Sequence, residues 1–132
     1  MPLKHTILVI DDDPDFCEFC DIVLTAHGYQ VRRVTTEAEA HEYLRSQQPD
    51  LVIADMMMSY ALDGWAVLSD MRADERLERI PVLLVSAVVR NGEDQFWPPE
   101  AGLWDRFRRK PIPPEELVAL AEDLLAGGRK AA

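Results

Sequence analysis

The sequence predicts an α/β domain in which a five-stranded parallel sheet is covered by helices on both faces. Strand and helix patterns alternate along the chain, as they do in doubly wound folds. Three strand patterns, at residues 7–10, 51–54 and 82–85, are unbroken aliphatic runs. Such runs indicate strands buried on both faces, as in a parallel sheet between two helical layers. The length of 132 residues predicts one domain, with a core at about residues 5–126 and a tail at 127–132.

The first helix is predicted to begin at Pro14, because proline is favoured in the first helical turn. It is expected to run to about residue 27, where Gly28 supplies a left-handed stop. A short second strand is expected at residues 29–34.

Capping residues predict the second and third helices. Thr36 and Glu39 have the spacing of a capping box, and the helix that follows is expected to end near residues 48–49. Asp63 is expected to cap the third helix, which would start at Gly64.

The second half of the chain is expected to be less regular. Between residues 88 and 106, prolines and glycines favour a loop with at most a short helix. The fifth strand, at residues 106–109, is strongly basic, which suits a sheet edge. Contact with an acidic partner or a second copy is the alternative. The last helix is predicted to open at residues 113–116 and to stop at 127–128.

Cys17 and Cys20 are the only cysteines. Together with Leu24 they fall on one face of the first helix, which favours two small buried hydrophobic residues. Their C-x-x-C spacing also allows a redox or metal role, but the sequence has no second pair that would complete a zinc site.

Charge and hydropathy exclude several functions. With 14 Lys and Arg against 24 Asp and Glu, the formal net charge is −10, which disfavours binding to nucleic acid or to anionic membranes. No apolar stretch approaches the roughly 18 residues of a membrane span, and the N-terminus lacks a signal-peptide core. The expected location is the cytoplasm.

Reactive side chains follow the ends of the predicted strands. Asp11 and Asp12 follow the first strand, Asp55 the third and Ser86 the fourth, while Lys110 follows the fifth. Ligands of open α/β sheets bind at the carboxyl ends of the strands, so these groups should converge. Clustered carboxylates repel each other, and Mg²⁺ would relieve that repulsion.

Four short segments, in this order and spacing, resemble the receiver domain of two-component response regulators, of the stand-alone type. They lie at residues 7–14, 49–58, 85–87 and 110–111. The resemblance covers nearly the whole chain, and it implies a flavodoxin-like three-layer sandwich with strand order 2-1-3-4-5.

The resemblance implies a phosphoacceptor beside a metal ion. Asp55 would accept the phosphoryl group. Asp11 and Asp12 would hold Mg²⁺ or Mn²⁺, Asp12 directly and Asp11 partly through water. Asp55 and the backbone carbonyl of Met57 would be further ligands.

The resemblance also implies a switch. Ser86 and Lys110 would contact the phosphoryl group, and Phe107 would turn inward when Ser86 moves. Simpler interpretations are an ordinary strand-end hydroxyl for Ser86, a surface charge for Lys110 and a core ring for Phe107. Asp13 is expected to cap the first helix instead of joining the site.

The function implied is phosphoryl transfer from a sensor histidine kinase or a histidine phosphotransfer protein, followed by a switched contact with a downstream protein. Such a chain would promote only its own phosphorylation and dephosphorylation, and it would be a monomer or a weak dimer. Trp97 and Trp104 are either a partner-binding patch or packing residues.

Two other functions stay open. A pseudo-receiver would use the same fold as a phosphorylation-independent interaction module. The loop after Asp55 and the irregular segment after Val88 both depart from the family pattern, which favours this alternative. A phosphatase of the haloacid dehalogenase type would use Asp11 and Asp13 as a D-x-D motif, but it would leave Asp55 unexplained.

Overall fold

A computed structural model describes residues 5–55, 64–86 and 101–128. Its five strands form one parallel sheet in the order β2-β1-β3-β4-β5, and this confirms the predicted topology. The elements, in chain order, are β1 Thr6–Ile10, α1 Pro14–Thr25, β2 Gln30–Val34, α2 Glu37–Ser46, β3 Leu51–Asp55, α3 Gly64–Arg72, β4 Val82–Ser86, a 3₁₀ helix at Ala101–Leu103, β5 Arg106–Arg109 and α4 Pro114–Gly127.

The aliphatic strands are buried on both faces, as predicted. Alternate side chains of β1 enter two separate clusters: Ile7 and Val9 pack with α1 and α4, whereas Leu8 and Ile10 pack with α2 and α3. All four side chains are fully buried. Burial of each such side chain contributes about 1.5–3 kcal/mol relative to exposure, so the central strands form the most stable part of the fold.

The helices begin where the sequence predicts, and α4 also ends at the predicted Gly127, but α1 and α2 end slightly earlier than predicted. Proline opens both α1 and α4. α1 ends at Thr25 instead of residue 27, and Gly28 then turns the chain with a φ of +92°. α2 ends at Ser46, ahead of the predicted boundary at residues 48–49.

The cap of α2 differs in one detail from a simple capping box. Thr36 accepts a hydrogen bond from the backbone N–H of Glu39 (3.1 Å), as expected. The carboxylate of Glu39, however, accepts from the backbone N–H of Thr35 (2.9 Å), the residue before the cap. The reciprocal hydrogen bond of the capping box is therefore made to the N–H of Thr35 instead of that of Thr36.

Both cysteines are free and buried in the cluster between α1 and α4. Burial raises the pKa of the Cys17 thiol to about 11, and burial also raises that of Cys20. Because the thiolate is the reactive and metal-binding form, these protonated thiols behave as small hydrophobic residues.

β5 forms one edge of the sheet, and two of its arginines, Arg106 and Arg108, pair with acidic residues of the same chain. Arg106 donates to Asp123, and Nε of Arg108 donates to Glu116 at 2.9 Å. Trp104, just before β5, packs edge-on against Phe107 with 6.4 Å between ring centroids. This contact supports the packing interpretation for Trp104.

Some predicted features lie outside the described residues. They are Met57, the Asp63 cap, residues 88–100 of the predicted irregular segment with Trp97, and the tail from residue 129. Within the described residues, no helix is long and apolar enough to cross a membrane.

Replacing Thr36 by alanine removes the oxygen that accepts from the N–H of Glu39. Loss of such a cap costs about 1 kcal/mol, so the urea midpoint should fall. Ser46→Ala, at the exposed end of α2, is the matched control and should change stability by less than about 0.5 kcal/mol. Equal midpoints for Thr36→Ala and the unmodified chain would contradict a capping role.

Candidate functional site

The strand ends bring the predicted site residues to one edge of the sheet. β1 and β3 pair in parallel with Ile10 opposite Ala54, so Asp11 and Asp55 come next to each other at the carboxyl ends. β4 pairs with β3 on the other side, which places Ser86 at the same edge. The convergence expected from strand order is therefore observed.

Three carboxylates meet at this edge. Asp11, Asp12 and Asp55 each offer a carboxylate oxygen, and these oxygens all lie within 4.8 Å of one another. Asp11 is fully buried and Asp55 is 3% exposed. At an effective dielectric near 20, each like-charge pair at about 4 Å costs roughly 4 kcal/mol. The group has the composition of a site for a hard divalent cation.

Lys110 supplies the positive charge that faces these carboxylates. Its Nζ donates to Oδ2 of Asp11 (2.8 Å) and to Oδ2 of Asp55 (3.0 Å). The backbone N–H of Lys110 also donates to the carbonyl of Ser86 (2.7 Å), which ties the end of β5 to the end of β4. The sequence predicted that Lys110 would reach the site, but not that it would bridge two carboxylates.

The pKa values of Asp11 and Lys110 are both raised, for different reasons. Burial raises the pKa of the Asp11 carboxyl to about 6; the hydrogen bonds from Lys110 and from the N–H of Asp13 oppose this rise, while the charge of Asp55 adds to it. Burial alone would lower the pKa of Lys110, but its hydrogen bonds to Asp11 and Asp55 outweigh burial, so its pKa is raised. The lysine therefore stays an ammonium group.

The segment between β1 and α1 orients Asp11. Oδ1 of Asp11 accepts from the backbone N–H of Asp13 (2.9 Å), and Asp13 in turn accepts from the N–H of Asp15 (3.0 Å) as the cap of α1. The thiol of Cys17 donates to the backbone carbonyl of Asp11 (3.3 Å). Asp13 thus caps the helix, as expected, and leaves Asp11 and Asp12 at the cluster.

Three further residues were predicted to belong to the site: Ser86, Phe107 and Met57. Ser86 is buried at the end of β4. Phe107 is half-buried on β5 and packs against the cluster between the sheet and the α2–α3 layer. Met57 lies outside the described residues.

Phe16 is a neighbour of the site that sequence reasoning missed. The Nζ of Lys110 lies over its ring, 4.3 Å from the centroid. In the sequence Phe16 reads only as an apolar residue of α1. Its one available signal is its position in the first turn of the helix that follows the acidic residues.

Comparison with known proteins agrees with this arrangement. The family model of the response regulator receiver domain matches residues 7–122. Response regulator Rre1 of Synechocystis is 34% identical over 92% of this chain and 52% of its own length. Protein PilH of Pseudomonas aeruginosa is 28% identical over 92% of this chain and 98% of its own.

A solved structure shares the fold. The receiver domain of a sensor histidine kinase from Pseudomonas aeruginosa, with a magnesium ion coordinated in its active site cleft, has a TM-score of 0.80 at 22% identity. The match covers 95% of this chain and 100% of that one.

These findings define the class of the protein as a signalling domain. The chain belongs to the response regulator receiver domain family. It spans about half the length of several relatives that it matches, such as Rre1.

Asp11 makes the stability of this site depend on pH. It takes up a proton at a pKa of about 6 in the folded chain, against its ordinary 3.8. Its ionisation therefore destabilises the folded state as pH rises from about 4 to about 6, by roughly 3 kcal/mol in total. Asp11→Asn removes this penalty and should gain stability relative to the unmodified chain over that range.

The measurement is urea unfolding of both chains at several pH values between 4 and 7, with a chelator present. The stability difference should grow with pH and then level off above about pH 7. A difference that stays constant across the range would contradict the assigned pKa.

Proposed function

We propose that this receiver domain accepts a phosphoryl group on Asp55 and thereby changes a protein–protein contact. The observation that carries the proposal is the surroundings of Asp55, a nearly buried carboxylate with a lysine ammonium group 3.0 Å away and a second buried carboxylate beside it. Such a carboxylate is a competent nucleophile for in-line attack on phosphorus. Family membership supports the same assignment.

The proposed step balances as a simple displacement. An oxygen of the Asp55 carboxylate forms a bond to phosphorus while the bond from phosphorus to a histidine nitrogen of the donor breaks. The nitrogen leaves with the electron pair, and Asp55 becomes an acyl phosphate. Lys110 is assigned to the transferred group, because its ammonium already lies beside the acceptor oxygen and can stabilise added negative charge.

The acidic cluster fits a hard cation, because its donors are carboxylate oxygens within 4.8 Å of one another. We assign Asp11, Asp12 and Asp55 as residues that would hold Mg²⁺ or Mn²⁺, with the Met57 carbonyl as a further ligand. A bound dication would supply charge neutralisation for the carboxylates and the phosphoryl oxygens. The chain itself contributes the orientation of Asp11 through the N–H of Asp13.

The proposed donor is a sensor histidine kinase or a histidine phosphotransfer protein, and the proposed location is the cytoplasm. The signal would pass from Ser86, at the end of β4, to Phe107 on the neighbouring β5. A downstream protein would then recognise the altered surface. The domain would promote only its own phosphorylation and dephosphorylation.

Asp55→Asn is expected to abolish phosphorylation, because the amide lacks the nucleophilic oxygen. Incubation with acetyl phosphate and Mg²⁺ should add one phosphoryl group to the unmodified chain, detectable by intact mass. Asp50→Asn is the matched control, since Asp50 lies at the opposite end of β3 and accepts from Thr6. The proposal fails if the unmodified chain gains no mass or if Asp55→Asn gains as much.

Mg²⁺ should stabilise the folded chain, because only the folded state brings the three carboxylates together. At about one hundred times its dissociation constant, a ligand adds roughly 2.7 kcal/mol to the free energy of unfolding. Thermal unfolding with and without Mg²⁺ measures this increment, which should shrink in Asp12→Asn. Asp13→Asn is the control, because Asp13 acts as a helix cap, and its increment should persist.

A further inference from the structure

The ring of Phe16 and the ammonium group of Lys110 form a contact that the proposed chemistry does not yet use. Nζ of Lys110 lies 4.3 Å from the centre of the ring, and Phe16 is only 8% exposed. The two residues are distant in sequence, since Phe16 belongs to the first turn of α1 and Lys110 follows β5. A cation over an aromatic face is attracted by the ring's quadrupole, more strongly when water is excluded.

This contact adds to the hydrogen bonds of Lys110. The carboxylates of Asp11 and Asp55 accept from Nζ at 2.8 and 3.0 Å, while the ring of Phe16 is a further, non-hydrogen-bonding neighbour of the same group. Lysine is a point charge on a flexible stem with four carbons, so its position depends on its neighbours. An added aromatic neighbour narrows the set of conformations that the ammonium group can adopt.

Lys110 also lines a cleft beside the site. Its volume is about 410 Å³, and its lining includes Lys110, the two rings of Phe16 and Phe19, and the carboxylates of Asp13 and Asp15. Asp13 and Asp15 are exposed and acidic. If the ring of Phe16 were replaced by a group without an aromatic face, these carboxylates would compete with Asp55 for the ammonium group.

We propose that Phe16 is a positioning residue that keeps the ammonium group of Lys110 at Asp55 during phosphoryl transfer. The inference rests on the proposed role of Asp55. The aromatic face, and not only the volume of the side chain, is the property that matters, because an aliphatic residue of similar size packs α1 but does not attract a cation.

The test compares Phe16→Leu with Phe16→Tyr, which keeps the aromatic face. Phe19→Leu is the matched control, because Phe19 lines the same cleft one helical turn away. The rate of Asp55 phosphorylation is measured with acetyl phosphate and saturating Mg²⁺, so that no protein donor has to dock. Phe16→Leu should be about threefold to tenfold slower, whereas Phe16→Tyr and Phe19→Leu should stay within about twofold of the unmodified chain.

A second measurement separates positioning from packing. In proton NMR spectra, the ring current of Phe16 should shift the side-chain protons next to Nζ of Lys110 upfield. The shift should persist in Phe16→Tyr and Phe19→Leu and vanish in Phe16→Leu. Urea midpoints report the loss of packing, which should be larger for Phe16→Leu than for Phe19→Leu, because Phe16 is buried and Phe19 only partly buried.

The possible outcomes are distinct. A rate for Phe16→Leu equal to that of the unmodified chain overturns the inference and leaves the proposed function intact. An equally slow Phe16→Tyr overturns it as well, since the aromatic face would then be irrelevant. If the unmodified chain takes up no phosphoryl group, the proposed function and the positioning role fail together, and the ring-current shift reports only whether the contact exists.

Discussion

The constraint on which this site depends is the repulsion between carboxylates that the fold has removed from water. Asp11 and Asp55 sit almost fully buried at neighbouring strand ends, and Asp12 lies within reach of both. Ionised carboxylates in such surroundings need a cation, because burial penalises their charge and each raises the energy of the other. Lys110 meets part of that need by bridging the two buried groups.

The sheet topology makes this arrangement possible. The parallel strands β1, β3, β4 and β5 all end at the same edge, and Lys110 follows the last residue of β5 directly. The supporting layers are ordinary: two apolar clusters, one on each face, hold the strands in register. The repulsion between carboxylates is thus confined to one edge of the sheet, whereas the two apolar clusters stabilise the domain.

Burial leaves unfavourable electrostatic energy at this edge of the sheet. The raised pKa of Asp11 shows that one positive charge does not fully compensate the buried carboxylates. The edge therefore has the composition of a site for a further cation. The N–H of Asp13 donates to Asp11, and the ring of Phe16 lies beside the ammonium group of Lys110.

The buried strands and the helix starts could be predicted from the sequence, because the patterns that indicate them are local. Unbroken aliphatic runs predicted the buried strands, and Asp13, Pro14 and Thr36 predicted helix starts, since caps depend on residues only a few positions apart. The boundaries at the helix ends were less accurate: α1 and α2 both stop earlier than predicted, because helix ends fray and the nearest glycine or proline does not define the last helical residue.

The residues that follow each strand, and the order of strand and helix patterns, were enough to place the reactive groups at one edge of the sheet. Their electrostatic partners became apparent only from the folded structure. Side-chain directions decide the two hydrogen bonds of Lys110 and its contact with Phe16. They also decide the hydrogen bond from the N–H of Thr35 to the carboxylate of Glu39. Sequence periodicity does not encode such directions, because they are set by packing between parts of the chain that are not neighbours in sequence.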